Sequence, residues 1–225
     1  PAFYKVWGYK ALLAVKKRIL MTPQPRPVVY VGQDAALQLC ATIAQFAHKN
    51  VLVVTDKPLL QLGVLSGILE TLQKHGVTTT IYDGVLPDPT VKVVDDGIAL
   101  LRQHRCDGVL ACGGGSSIDA AKVIALAGAN GLSALQCVGL KVAKLPGVPL
   151  YAVPTTAGTG SEVTLAAVIS DNATHEKLIV ADPRIIPTAA ALDPGIMRGL
   201  PPHITAATGM DALTHAIEAY INRWP

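Results

Sequence analysis

Two side chains near the end of the sequence have the types and the spacing of metal ligands. Asp211 and His215 lie four residues apart in the helical pattern of segment 205–220. Residues at i and i+4 share one face of a helix, so a carboxylate oxygen and an imidazole nitrogen can bind the same divalent cation. Two ligands rarely hold a catalytic metal. We therefore expect the remaining ligands from another helix, another chain, or protein that lies outside this sequence.

A glycine-rich turn at residues 113–122 has the composition of a phosphate-binding site. It reads Gly-Gly-Gly-Ser-Ser-Ile-Asp-Ala-Ala-Lys and joins an expected strand over 108–112 to an expected helix over 117–128. Glycines let a ligand approach the backbone, and the N–H groups of a helix N-terminus attract phosphate oxygens. A tight structural turn is the alternative, because the segment lacks the GxGxxG pattern and follows a later strand. Asp119 and Lys122 favour the binding site.

A second polar loop, residues 154–162, follows another apolar run and carries four hydroxyl side chains and two glycines. Hydroxyl-rich turns are common, so this loop alone is equally consistent with an ordinary turn. Ligands of open parallel sheets bind outside the carboxyl ends of the strands, and both polar loops are expected at that edge. Together the two loops predict a nucleotide-binding cradle.

Asp56 follows an expected strand over 51–55. A carboxylate there accepts hydrogen bonds from an adenosine ribose and repels a 2′-phosphate, which favours NAD over NADP. The alternative is a helix N-cap ahead of Lys57 and Pro58.

Short β-branched runs alternate with longer amphipathic segments, the pattern of a parallel sheet with helices on both faces. The expected strands cover 28–31, 51–55, 77–82, 108–112, 149–153 and 189–192, with a hairpin over 163–170 and 176–180. The expected helices cover 34–49, with Asp34 as its N-cap, 59–75, 91–104 and 117–128. From Pro201 onward the pattern is purely helical. The fold class is therefore α/β, a Rossmann-like sheet plus the start of an all-helical second domain.

The chain is expected to have three parts: a basic N-terminal arm over 1–27, the α/β domain over 28–200, and the first helix of the helical domain over 201–225. Residues 1–33 hold six basic residues and no acidic one. We interpret the arm as a segment packed on its own protein or on a sister subunit. A membrane-surface or assembly-docking role, and disorder, are the alternatives. It is not a secretory signal, because lysines interrupt the apolar stretch and no small-residue cleavage site follows.

Composition excludes several classes of protein. Residues 34–225 hold 13 of the 19 basic residues and all 16 acidic ones, so this part of the sequence is mildly acidic. It also has no stripe of basic residues interleaved with aromatic ones. Both features argue against nucleic acid as a partner. No apolar run reaches the length of a membrane span, since charged residues, glycine or proline interrupt each one. The four cysteines lack CxxC spacing and lie in apolar surroundings. They predict buried, reduced thiols and a cytoplasmic location.

These residues resemble the iron-dependent (group III) alcohol dehydrogenases over residues 28–222. The shared landmarks are 113–122, 154–162, Asp182-Pro183, 191–194 and above all 207–220. The resemblance implies a two-domain enzyme whose N-terminal domain binds NAD and whose helical domain holds Fe²⁺, or in some members Zn²⁺, in the cleft between them. It implies hydride transfer between nicotinamide and a small primary alcohol or aldehyde, whose oxygen the metal polarises.

The same resemblance assigns roles to individual residues. It gives Asp211 and His215 to the metal. The residues that it places around the cofactor are Asp56 on the adenosine ribose, Gly114, Gly115 and Ser116 on the pyrophosphate, Thr155, Thr156 and Thr159 around the phosphates and the nicotinamide side, with Asp88, Asp119, Gly158, Val168 and Lys177 nearby. Asp88 departs from the family, which often has asparagine there.

The departure at the metal site is larger. The family completes that site with two further histidines from the helical domain, and no residue follows Pro225 here, so the chain is expected to be a fragment. Three other histidines are expected near helix ends at the opposite edge of the sheet, either solvated or C-capping: His48, His75 and His104. His175 and His203 are not expected to be ligands either.

Alternatives to the alcohol dehydrogenase remain open. A hydroxyacid–oxoacid transhydrogenase, a zinc-dependent glycerol dehydrogenase and a dehydroquinate synthase share the fold, and the residues around Asp211 favour the alcohol dehydrogenases over them. A different class is a nucleotide-binding or assembly module without turnover. The last helix is expected to expose an apolar face, through Met210, Leu213, Ile217 and Tyr220, and the protein to be a homo-oligomer.

Overall fold

The computed structural model describes residues 25–222. Nearly all of the expected N-terminal arm, 1–27, lies outside the described residues. The strands are β1 (Val28–Val31), β2 (Asn50–Val54), β3 (Thr78–Tyr82), β4 (Gly108–Gly113), β5 (Gly139–Leu140), β6 (Leu150–Pro154), β7 (Ala166–Ser170), β8 (Lys177–Ala181) and β9 (Ala189–Leu192). The α-helices are α1 (Ala35–Gln45), α2 (Lys57–Gln61), α3 (Ser66–Lys74), α4 (Val91–Gln103), α5 (Gly115–Asn130), α6 (Pro194–Met197) and α7 (Pro202–Ile221).

The main sheet has six parallel strands in the order β1-β9-β6-β4-β2-β3. Its central strands are buried on both faces, because alternate side chains enter two separate cores. Leu52 and Val54 join the core under α4 and α5, whereas Val51 and Val53 join the core under α1 and α3. This arrangement confirms the expected α/β class with helices on both faces.

A second, three-stranded sheet has the order β5-β8-β7. Its β7 and β8 form the expected antiparallel hairpin, with Ala167 opposite Val180. Strand β7, the first strand of the hairpin, begins three residues later than expected, because Ser161–Val163 forms a 3₁₀ turn. The hairpin packs on α5, so it lies beside the glycine-rich turn.

The expected helix over 34–49 was wrong in its cap and its end. Asp34 adopts a left-handed conformation, with φ of 62°, and its side chain caps nothing. The carboxylate of Asp193 serves instead, because its Oδ2 accepts from the backbone N–H of Ala36 at 3.3 Å. The helix ends at Gln45, before a second left-handed residue at Ala47.

The expected single helix over 59–75 is two helices, α2 and α3. Gly63 has φ of 71°, and the N–H of Val64 bonds back to the carbonyl of Leu59 at 3.2 Å. This pattern is the Schellman ending of a helix, in which a glycine takes the left-handed position. Local backbone chemistry therefore stops α2 although the apolar periodicity continues.

The three histidines at the amino edge of the sheet divide into two kinds. His75 and His104 are the C-cap residues of α3 and α4, as expected. His48 is neither solvated nor capping, which corrects that expectation: its side chain is 9% exposed, and its Nε2 shares a hydrogen bond of 2.9 Å with the buried Tyr151 hydroxyl. The bond satisfies a polar group that would otherwise be orphaned in the core.

The four cysteines are buried and free, as expected. Within residues 25–222, no helix is both long enough and apolar enough to cross a bilayer. The division into domains at residue 200 stays a prediction.

Candidate cofactor and metal site

The two polar loops begin side by side at the carboxyl edge of the main sheet. Gly113 and Pro154 are paired residues of the neighbouring strands β4 and β6. The loops are also bonded to each other, because the N–H of Thr155 donates to the carbonyl of Gly113 at 2.9 Å. The expectation that they share one edge is therefore correct.

The start of α5 has backbone N–H groups that could bind a phosphate. Gly114 is the N-cap residue of this 16-residue helix, and no side chain caps its first N–H groups. A Cβ at Gly115 would lie 2.9 Å from Cγ2 of Thr159, so the second loop lies directly against the first. Uncapped N–H groups at a helix N-terminus are donors for an anion.

A buried hydroxyl beside Gly114 makes no hydrogen bond within the described residues. It is Thr156 Oγ1, which is inaccessible to solvent. Buried hydroxyls in proteins are nearly always bonded. An anion bound between the loops would supply the missing acceptor, so the residues present fit a dinucleotide phosphate.

Asp56 lies at the same edge, at the end of β2, which neighbours β4. Its Oδ1 accepts from the N–H of Leu59 at 2.9 Å, which confirms the interpretation as an N-cap, here of α2. A carboxylate has a second oxygen with free lone pairs. The cap and a ribose contact are therefore compatible.

Asp88 connects the turn after β3 to the hairpin. It has φ of 61°, and its carboxylate accepts from the Lys177 ammonium and the Ser170 hydroxyl. These bonds, the Lys177 bond first, hold the pKa of the Asp88 carboxyl below its usual range. Its backbone N–H donates to Ser116 Oγ at 3.3 Å. The structure thus brings together Asp88, Ser116 and Lys177, all of which the sequence analysis assigned to the cofactor.

Asp119 and Lys122 lie on the face of α5 that contacts the hairpin. Asp119 Oδ2 accepts from the N–H of Val168 at 2.9 Å, and Lys122 is fully buried. Burial raises the pKa of the Asp119 carboxyl and lowers the pKa of the Lys122 ammonium to about 8. In the sequence both residues favour a phosphate site at the glycine turn, and Asp119 is expected near the cofactor. Their described contacts are to protein groups.

Asp211 and His215 lie together on α7, with 3.7 Å between Oδ1 and Nε2. Both side chains are about half exposed, at 43% and 54%. Carboxylate oxygen and imidazole nitrogen suit Fe²⁺ or Zn²⁺, so the pair fits part of such a site. Within residues 25–222 no cluster of three or more potential ligands occurs, and neither His175 nor His203 joins the pair.

Gly158 is the point at which the second loop meets this helix. A Cβ there would lie 2.1 Å from the carbonyl oxygen of Thr208. Thr208 precedes Asp211 by less than one helical turn. The cradle and the metal-ligand pair are therefore adjacent. Gly158 was expected near the cofactor, and its contact with α7 was not predicted, because the sequence alone does not show where this helix packs.

Comparison with known proteins identifies the family. A sequence model described as iron-containing alcohol dehydrogenase matches residues 26–194, three quarters of the chain. The chain belongs to the iron-containing alcohol dehydrogenase family. Members of this family are oxidoreductases, and the resemblance stated from the sequence is confirmed.

Relatives of this family member cover most of its length. Lactaldehyde reductase of Escherichia coli is 40% identical over 196 residues, which are 86% of this chain and 51% of that protein. NAD-dependent methanol dehydrogenase of Bacillus methanolicus is 40% identical over 195 residues, 87% of this chain and 51% of that protein. The chain spans about half the length of the curated relatives that it matches.

Solved structures agree. A 1,3-propanediol oxidoreductase superposes with a TM-score of 0.85 at 38% identity, over 90% of this chain and 53% of that one. A sulfoacetaldehyde reductase from Bifidobacterium kashiwanohense, in complex with NAD⁺, gives a TM-score of 0.82 at 30% identity, over 89% of this chain and 53% of that one.

Proposed function

We propose that this family member acts as an NAD-dependent, metal-dependent oxidoreductase that transfers hydride between nicotinamide and a small primary alcohol or aldehyde. One observation carries the proposal: three features meet at one edge of the sheet, with Gly158 against α7. They are the glycine turn (113–122), the second polar loop (154–162), called the threonine loop from here on, and the Asp211–His215 pair. Hydride transfer requires the cofactor and the metal-polarised substrate to lie in contact.

The cofactor part is supported by the cradle and by two relatives, one named as NAD-dependent and one solved with NAD⁺. In this proposal Asp56 binds the adenosine ribose, and the N–H groups of Gly115 and Ser116 bind the pyrophosphate. The rest of the proposed cofactor site comprises Asp88, Gly114, Thr155, Thr156, Gly158, Thr159, Val168 and Lys177, with Asp119 behind it.

The metal part rests on Asp211 and His215, which would hold Fe²⁺ or Zn²⁺. Such an ion supplies Lewis-acid polarisation of the substrate oxygen. Its remaining ligands have to come from outside residues 25–222, because no larger cluster occurs within them. The threonine loop keeps the nicotinamide end of the cofactor beside this pair, and α7 is proposed as the first helix of a helical domain, 201–225.

The proposal also covers the compartment and the oligomeric state of the protein. Four buried, free cysteines fit a reducing compartment, so we assign the protein to the cytoplasm. The exposed apolar side chains of α7, among them Met210 and Ile217, fit burial against further protein, and we propose a homo-oligomer.

Substitutions at Asp56 separate its two roles. In Asp56→Ser the hydroxyl still caps α2, whereas Asp56→Ala loses the cap, at about 1 kcal/mol. Both variants lose the carboxylate that would repel a 2′-phosphate. We therefore expect the NAD-to-NADP affinity ratio to fall about tenfold in both, while only Asp56→Ala loses stability. Calorimetric titration and urea unfolding measure the two quantities. An unchanged ratio in both variants would remove Asp56 from the cofactor site.

A nucleotide-binding module without turnover is the second candidate, favoured by the lack of a third ligand near Asp211 and His215 among the described residues. The test is the oxidation of short primary alcohols by NAD after the protein has been loaded with Fe²⁺ or Zn²⁺. The absorbance of NADH measures the turnover. Under the main proposal, turnover depends on the metal, and His215→Ala lowers it at least about a thousandfold. NAD binding without any metal-dependent turnover would support the module instead.

A further inference from the structure

Lys122 is a buried cation that ties three segments of the cofactor edge together. Its side chain is 0% exposed although it extends from the middle of α5. Its ammonium donates to Thr164 Oγ1 and to the carbonyl of Ala166, each at 2.8 Å. Thr164 follows the 3₁₀ turn at the end of the threonine loop, and Ala166 begins β7. The cation therefore fixes the point at which the loop becomes the hairpin.

Asp119, one turn before Lys122, forms the second half of the same attachment. Its Oδ2 accepts from the N–H of Val168 at 2.9 Å, whereas its Oδ1 is buried without a hydrogen bond and lies 3.9 Å from the Lys122 ammonium. An isolated buried carboxylate is costly, and a nearby ammonium offsets part of that cost. Each charge therefore makes the burial of the other tolerable.

The attachment acts on one half of the proposed cofactor site. In the proposed site the adenosine lies at Asp56, after β2, and the pyrophosphate at the glycine turn, after the neighbouring strand β4. The nicotinamide half of the dinucleotide then extends toward the threonine loop and the β7–β8 hairpin. The hairpin carries Val168 and Lys177. Asp56 bonds to Leu59 and pairs with Gly84, and Ser116 bonds to Asp88, so these contacts do not run through Lys122 or Asp119.

We propose that Lys122 and Asp119 are positioning residues that hold the β7–β8 hairpin on α5 and thereby fix Val168 and Lys177 against the nicotinamide half of the cofactor. This inference rests on the proposed NAD site. It reassigns both residues from phosphate binding to the placement of other groups. A general structural role would lower stability without distinguishing between the two halves of the cofactor.

The test compares NAD with ADP, which lacks the nicotinamide half. In Lys122→Met, the Asp119 carboxylate and the Ala166 carbonyl lose their cationic partner. We expect the affinity for NAD to fall about tenfold and the affinity for ADP to change less than about twofold. Hydrogen exchange should also become faster at the N–H of Val168 and along β7, while β2 and β4 stay protected.

Arg102→Met is the matched control. The Arg102 guanidinium donates to the carbonyls of Ala127 and Leu132, at the other end of α5, at 2.9 and 2.8 Å. Its loss is expected to destabilise the chain and to leave the NAD-to-ADP affinity ratio unchanged. Lys122→Gln keeps a hydrogen-bond donor without the charge, and it should fall between the wild type and Lys122→Met. It also serves if the methionine variant does not fold.

The outcomes are separable. The positioning role would be overturned if the NAD-to-ADP affinity ratio of Lys122→Met equalled that of the wild type. It would also be overturned if hydrogen exchange in β7 did not become faster. If the wild-type chain binds neither nucleotide, the proposed function fails, and with it the cofactor part of this inference. The exchange measurement then still decides whether the Lys122–Asp119 pair holds the hairpin.

Discussion

Gly158→Ala is expected to lower alcohol turnover about a hundredfold while NAD affinity changes less than about threefold. The new Cβ would lie 2.1 Å from the carbonyl oxygen of Thr208 and 2.8 Å from its carbonyl carbon. Both are backbone atoms, so only a shift of α7 or of the threonine loop, by about 1 Å, relieves the overlap. Asp211 and His215 would move with the helix, away from the cofactor. Overpacking of this kind also costs about 1–3 kcal/mol of unfolding free energy.

The comparison variant is Gly209→Ala, one residue beyond the contact. A Cβ there meets nothing within 4 Å. Alanine is better than glycine inside a helix by about 1 kcal/mol, so this variant should be slightly more stable than the wild type and equally active. Steady-state kinetics, NAD titration and urea unfolding on both variants measure these effects. If Gly158→Ala loses NAD affinity and keeps normal turnover at saturating NAD, Gly158 serves the cofactor site alone and does not set the position of α7.

The sheet was predictable because its signals are local. Each buried parallel strand is a short β-branched or small apolar run, as in Val51–Val54 and 108–112, and each is followed by a turn residue. Such runs occur only where both faces of a strand are covered. The carboxyl-edge position of the two polar loops followed from chain direction alone. The fold class and the meeting of these loops were therefore within reach of the sequence.

Other features were not predictable, because distant residues determine them. The carboxylate that caps the start of α1 belongs to Asp193, 157 positions from the N–H that it binds. Asp34 has the right residue type in the right place, yet its backbone is left-handed and its side chain makes no capping hydrogen bond. A single sequence contains no information about which of two aspartates reaches a helix end.

The site shows the same division. The residue types around Lys122 indicated a phosphate site, since a lysine near a glycine turn commonly serves phosphates. In the structure its ammonium is enclosed by α5 and the start of β7. Helical periodicity does predict the burial of Lys122. Residues 118, 121, 122 and 125 share one face of the helix, and the three besides Lys122 are apolar. That face packs on the hairpin, so a lysine within it is buried.

These contacts suggest how the edge works as a unit. The glycine turn belongs to α5, the hairpin is held on α5 through Asp119 and Lys122, and the threonine loop joins the hairpin to the sheet while it supports α7 through Gly158. Cofactor loops and metal-ligand helix therefore share one chain of contacts. In the proposed enzyme, their relative spacing is set by backbone and buried-charge contacts more than by the exposed residues of the site.

Alkaline pH is expected to destabilise the chain strongly, by a net slope of about 3 kcal/mol per pH unit above pH 9. Burial raises the pKa of Cys40 to about 12 and that of Cys137 to about 11, and it raises the pKa of Cys112 further. An unfolded thiol ionises from its ordinary pKa, so above pH 9 the unfolded state holds fewer protons than the folded state. Stability is then fully present below pH 9 and is lost as pH rises, at about 1.4 kcal/mol per thiol and pH unit.

Urea unfolding between pH 8 and 10.5, with a reductant to keep the thiols free, measures this slope. Lys122 opposes it, since burial lowers the pKa of that ammonium to about 8 and one proton is therefore lost first from the folded state. One opposing group cannot cancel three thiols. Cys112→Ala removes one of them and should reduce the slope by about 1.4 kcal/mol per pH unit. If its slope matches the wild type, Cys112 is accessible to solvent before unfolding, and the tight core between α1 and the sheet opens more readily than its packing implies.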